Sequence, residues 1–185
     1  MLGKIARFEL RYQLTGPLFA VVFYVAALVL EGSTPGEKSS ATKVMDYYNS
    51  HHGRTLTSSF LAPLGAALLV LFASHLRSVV RDRHLVPGPG PTVLIAGSVL
   101  WASGILIGAT TSLAVLSASD HGQGQVAQTM NVLSNDAWLP FIAGIAVTLI
   151  GAGMTVLTTG ILPKWLGWVA LVAGVLALAG PGGFF

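Results

Sequence analysis

The chain has 185 residues, 53% of them hydrophobic and only 9% charged, with a mean hydropathy of +0.72. A soluble domain carries about 25% charged residues, so this chain has too little charge to coat a water-exposed surface, and lipid must be the solvent for much of it. The formal charge is +3, but no basic face or aromatic platform points to nucleic acid, and the absence of cysteine excludes disulfides, thiolate metal sites and cysteine nucleophiles.

Residues 1–13, MLGKIARFELRYQ, set Lys4, Arg7 and Arg11 against Glu9. The spacing of Leu2, Ile5, Phe8, Leu10 and Tyr12 predicts a short amphipathic helix on the inner membrane surface. Residues 14–30 form the first apolar run. A basic start before an apolar run can be a cleaved signal peptide. This run is longer than a usual signal core, and Glu31-Gly32 follows without a small-x-small site. The favoured expectation is therefore an uncleaved first span with the N-terminus inside. Pro17 falls in its first turn, where a missing N–H costs little.

Residues 31–55 form the first outer segment. Thr34-Pro35-Gly36-Glu37 has the chemistry of a helix start: a capping hydroxyl, proline at the first helical position, and an acid completing a capping box. Ala41, Val44, Met45 and Tyr48 then make one apolar stripe, with Lys38, Lys43, Asp46 and Asn49 off it. Gly53 is expected to end this helix. The second span is placed at 56–76.

The inner loop is 77–91, RSVVRDRHLVPGPGP. Lys and Arg in short loops stay on the cytoplasmic side, so Arg77, Arg81 and Arg83 pin this loop inside and the other spans follow by alternation. The third span is placed at 92–116. Gly97, Trp101, Gly104, Gly108 and Thr111 recur along it at intervals of four and three, and Gly104-x-x-x-Gly108 is a pattern that lets membrane helices approach closely. A second outer segment, 117–138, carries an apolar stripe of Val126, Met130, Leu133 and Ala137, with Trp138 suited to the interface. The fourth span, 139–162, presents Gly144, Thr148, Gly151 and Thr155 on one face. Pro163-Lys164 makes a tight inner turn, and the fifth span runs over 165–180 before Pro181-Gly182-Gly183 breaks it.

In this topology Lys4, Arg7, Arg11, Arg77, Arg81, Arg83 and Lys164 lie inside, and Lys38, Lys43 and Arg54 outside. That bias supports five spans with the N-terminus cytoplasmic. The predicted fold is all-α: a polytopic transmembrane helical bundle in one domain, 1–185, with two outer amphipathic helices. The order span, outer helix, span occurs at 14–76 and again at 92–162. This can be a parallel repeat about an axis along the membrane normal, or only what any four spans with two outer loops look like.

Two resemblances attach to these residues. ARFELRYQ, residues 6–13, resembles the cytoplasmic lead-in of permease subunits of ABC-2-type exporters. From Leu14 on, TGPLFAVVFYVAALVLEGSTPGE, DYYNSHHGR and LPKWLGWVALVAGVLAL resemble a family of bacterial multi-span membrane proteins described as hypothetical or DUF4386-like. The resemblance implies a multi-pass cell-membrane protein and carries over no activity or functional residue. Members of that family usually continue past the GFF-like motif into another span, which implies a shortened or incomplete C-terminus here.

No predicted span contains Asp, Glu, Lys or Arg. Such residues within spans usually mark ion or proton paths, so their absence argues against a proton-coupled pump or a charged-ring channel. Ser98, Thr111, Thr148 and Thr155 can line a polar path; hydroxyls that bond their own helix and pack against a neighbour are the competing expectation. Gly97, Gly104, Gly108, Gly144, Thr148, Gly151 and Thr155 are the expected helix-packing residues. His51, His52, Asp120 and His121 all fall on the outer side and are the candidate ligands for zinc or another divalent metal, against the reading of solvated loop residues. There is no Walker A loop, strand-borne GxGxxG or GxSxG elbow. These observations lead to a non-enzymatic subunit without a cofactor. It would sit in the lipid bilayer and associate with itself or a larger membrane complex through small-residue faces. The rival is a transporter or permease-like component for a small or lipophilic solute.

Overall fold

The computed structural model describes residues 22–23, 25–27, 29–30, 32–82, 88–160 and 162–179. All regular structure among them is α-helical. After helical residues between 22 and 30, the bounded helices are α1 (Ala41–Ser50), α2 (His52–Asp82), α3 (Gly90–Asp120), α4 (Gly124–Asp136), α5 (Trp138–Thr159) and α6 (Lys164–Ala179). Three stretches are long and apolar enough to cross a membrane: His52–Ser78, Gly90–Asp120 and Gly124–Thr159, the last running through α4 and α5. Helix α6, at 16 residues, is shorter than the roughly 17–25 of a typical span. The surface lead-in 1–13, most of the first span, residues 83–87 of the inner loop and the break at 181–183 lie outside the described residues.

Two compact units divide the chain. One comprises Met1–Leu69 and Leu106–Asp136, the other Val70–Ile105 and Ala137–Phe185.

The first unit is built on α1. Val44 and Tyr48 are fully buried on Val115, Leu116 and Ala118 of α3 and Ala127 of α4, with Met45, Tyr47 and Met130 packed around them. The stripe read from the sequence is thus the buried face, and each such side chain contributes about 1.5–3 kcal/mol through burial. The helix start differs from the expected one. Thr34–Glu37 precede the helix in a turn closed by Ser39 N–H to the Gly36 carbonyl (3.0 Å), and Ser40 is the cap, its Oγ accepting from the Lys43 amide (3.4 Å). The Pro35 carbonyl is held instead by the side-chain amides of Asn131 and Asn135, at 3.0 and 3.2 Å. Gly53 does not end α1; His51 caps it, and Gly53 already lies in the first turn of α2.

Helix α3 stops in a Schellman motif. Gly122 takes φ +68, its N–H donates to the Ser119 carbonyl (3.0 Å), and the Gln123 N–H reaches back to Ala118 (2.9 Å). Helix α4 then docks on α1 through only part of the expected stripe: Met130 packs against the Val44–Tyr48 cluster. Ala127 and Asn131 are buried, while Val126 and Leu133 of the apolar stripe stand exposed. The small side of α4 allows the close approach: a Cβ on Gly124 would lie 2.9 Å from the Met45 sulfur.

The second unit is organised by a glycine seam. Along α3, positions 90, 94, 97, 101 and 104 meet Thr155, Gly151, Thr148, Gly144 and Phe141 of α5 in turn. The order is reversed along the partner, so the helices run antiparallel. Every layer pairs a small residue with a larger one: Gly90 on Thr155, Leu94 on Gly151, Gly97 on Thr148, Trp101 on Gly144, Gly104 on Phe141. The interval alternates between four and three, the 3.5-residue spacing that keeps a seam in register on two helices. Trp101 and Phe141 close one end edge to face, with ring centroids 6.0 Å apart. Helix α5 ends at Gly160, which takes φ +64 and donates its N–H to the Val156 carbonyl. After Pro163, α6 returns antiparallel on the other side of α5. Gly167 sits against Gly153 and Leu157, and Gly174 against Ala146 and Ile150.

Candidate functional site

Three groups of residues bear on function: the hydroxyls on the glycine faces, the histidines with Asp120, and the polar surface around 33–50. Each is described within its own unit.

Ser98, Thr148 and Thr155 belong to the second unit and are buried. Their hydroxyls donate to carbonyls four residues back: Ser98 to Leu94 (2.8 Å), Thr148 to Gly144 (2.7 Å) and Thr155 to Gly151 (2.7 Å). Thr111, in the first unit, does the same to Ile107 (3.0 Å) and Gly108 (2.9 Å). A threonine so bonded offers its neighbour a methyl group and no unsatisfied proton, which is the affordable way to bury a hydroxyl in an apolar bundle. Six of the seven expected packing residues, Gly97, Gly104, Gly144, Thr148, Gly151 and Thr155, lie in the α3–α5 seam. Gly108 does not: a Cβ there would meet nothing within 4 Å. The faces expected to meet a partner are thus largely filled from within the chain.

His52 opens α2 and Asp120 closes α3, and these ends come together in the first unit. His52 Nε2 and Asp120 Oδ2 are 3.2 Å apart, both about half exposed. The other two histidines turn elsewhere. His51 stacks on Tyr47, its ring centroid 4.4 Å away, with Nδ1 3.0 Å from the Tyr47 carbonyl. His121 Nδ1 lies 2.7 Å from the Ser117 carbonyl. Among the described residues no three His, Asp or Glu side chains gather as a metal site would require. The structure therefore brings together two of the four candidate ligands, leaving His51 on Tyr47 and the Ser50 hydroxyl (2.9 Å) and His121 on the Ser117 carbonyl.

Residues outside any sequence motif hold 29–30 and 32–39. Arg54 donates from Nε to the Leu30 carbonyl (3.1 Å) and from Nη2 to that of Val29 (3.4 Å), placing its charge on the carbonyl end of the preceding helical residues. Gln128 donates to the Ser39 carbonyl (3.0 Å), and Asn131 and Asn135 hold Pro35. Beside this clamp Thr34, Pro35, Lys43, Asp46, Tyr47 and Ser50 line an open cavity of about 420 Å³. Lys43, Asp46, hydroxyls and a phenol stand on its wall beside apolar atoms. There the Ser50 hydroxyl donates to the Tyr47 carbonyl (2.9 Å) and lies 2.9 Å from His51 Nδ1. The single sequence-level signal for the clamp was Gln and Asn at 128, 131 and 135, the 3–4 spacing of one helix face.

No family model, no curated protein and no solved structure matches this chain.

Proposed function

We propose that the chain is a five-span protein of the cell membrane, with its N-terminus and residues 77–91 inside, acting as a non-enzymatic accessory subunit. One observation carries this reading. The glycines of α6 face α5, while Trp165, Trp168, Val169, Val172, Val175 and Leu176 are left more than half exposed around the rest of that helix. The small-residue faces join α3 to α5 and α5 to α6, and the apolar face of α6 is a surface left open for a partner. The seam hydroxyls are spent on their own helices, which favours packing over a solute path as their role.

Native mass spectrometry of the protein extracted from its own membrane in mild detergent tests the proposal. A defined oligomer of this chain, or an added protein mass, is the expected result. A monomer carrying a reproducible small-molecule mass other than a phospholipid would overturn it in favour of transport.

A further inference from the structure

A second cavity lies in the second unit, where the last turns of α2 run beside the first turns of α3. It measures about 350 Å³ and is lined by Ser74, Arg77 and Ser78 of α2 and Ile95 of α3. That volume is at the lower end of ligand pockets, which span roughly 300–1,000 Å³. Positions 74, 77 and 78 share one side of a helix through their 3–4 spacing. Arg77 is exposed. The Ser78 hydroxyl donates to the His75 carbonyl (2.7 Å), which fixes it as a polar wall.

The chemistry changes abruptly one turn away. Leu71, on the same face as Ser74 and Ser78, is 64% exposed, and Val99, one turn beyond Ile95, is 48% exposed. The groove thus has a cationic, hydroxyl-bearing mouth and apolar walls that continue along both helices in one direction. A free anion would use the mouth alone. A molecule with a phosphate at one end and hydrocarbon at the other would use both.

We infer that the groove of Ser74, Arg77, Ser78 and Ile95 binds an anionic phospholipid of the inner leaflet, its phosphate on the Arg77 guanidinium and Ser74 hydroxyl and its acyl chains along Leu71 and Val99. Arginine suits this task because its planar fork matches two phosphate oxygens at once. Anionic lipid is enriched where basic loops lie, and each such cation contributes to its capture. The inference rests on the membrane reading with 77–91 inside, which cysteine labelling tests separately.

The full chain in mild detergent is incubated with phosphatidylglycerol or with phosphatidylcholine of the same acyl chains, and retained lipid is counted by native mass spectrometry. The wild type is expected to retain phosphatidylglycerol in preference. Arg77→Gln is expected to lower that retention by about fivefold or more, the scale of one membrane-surface cation, and Arg77→Lys to restore part of it. Lys164→Gln, a second basic residue at the same membrane side, is expected to change it little, and unaltered thermal unfolding of Arg77→Gln shows that the fold is kept. Equal loss in Lys164→Gln, full retention in Arg77→Gln, or equal retention of phosphatidylcholine would overturn the inference. Displacement of the lipid by millimolar inorganic phosphate would assign the mouth to a free anion and overturn it as well.

Discussion

At Gly144 and Gly151 a single methyl group has no room. A Cβ at Gly144 would press on the backbone nitrogen and Cα of Trp101, and one at Gly151 on those of Leu94. The opposing atoms are main chain in a helix and cannot swing aside. Gly144→Ala and Gly151→Ala should each lower stability in detergent by about 1–3 kcal/mol, the usual cost of overpacking, despite alanine's better helix propensity. Gly108→Ala should be neutral or stabilising, by up to about 1 kcal/mol, because nothing approaches that position. Thermal unfolding of the three variants side by side decides this, and a loss at Gly108 equal to that at Gly144 would show that position 108 also meets a partner. The sequence already carried most of this pattern: glycine and threonine at alternating intervals of four and three on both spans. Which glycine of the Gly104-x-x-x-Gly108 pair is used was not legible, since spacing says which residues share a face and not where the facing helix stops.

Helix α1 shows what periodicity can and cannot foretell. Its stripe of Val44, Met45 and Tyr48 identified the buried face correctly, because burial of apolar area dominates there. Its start was misplaced because the capping chemistry of Thr34–Glu37 was outweighed by amides nearly a hundred residues away. For α4 the same reasoning held at Met130 and failed at Val126 and Leu133. Asn131 and Ala127 face inward and Val126 and Leu133 outward, since a small residue and an amide that reaches the Pro35 carbonyl make the closer fit against α1. Asn131→Ala should therefore cost about 0.5–1.5 kcal/mol, the net worth of one hydrogen bond, since Asn135 still donates to the Pro35 carbonyl, and should speed proteolysis within 33–40. Leu133→Ala should cost much less. The His52–Asp120 contact is about half exposed on both sides, so Asp120→Asn should change stability by under about 1 kcal/mol, measured by the same unfolding assay.

For the molecule as a whole, composition settled the class before any element was placed: a chain with 9% charged residues needs lipid around it. Three described stretches long enough to cross a bilayer agree with that. Sidedness rests on the distribution of Lys and Arg and makes a direct prediction. Single-cysteine variants Ser40→Cys and Gln125→Cys should react with an impermeant thiol reagent in intact cells, and His84→Cys only after permeabilisation. Labelling of position 84 from outside would reverse the topology. Activity was not legible because the charged groups that usually announce it are missing from the predicted spans, and Ser98, Thr111, Thr148 and Thr155 bond their own helices. The α3–α5 seam has one more consequence, a mechanical one. Displacing α3 along α5 by a single layer would bring glycine opposite glycine and Leu94 or Trp101 opposite a threonine, opening gaps at one level and collisions at the next. The next matching alignment lies a full seven residues away, about 10 Å of helix rise. Gradual piston-like sliding is thereby forbidden between these two helices, and any working cycle of this protein must carry them as one keyed body.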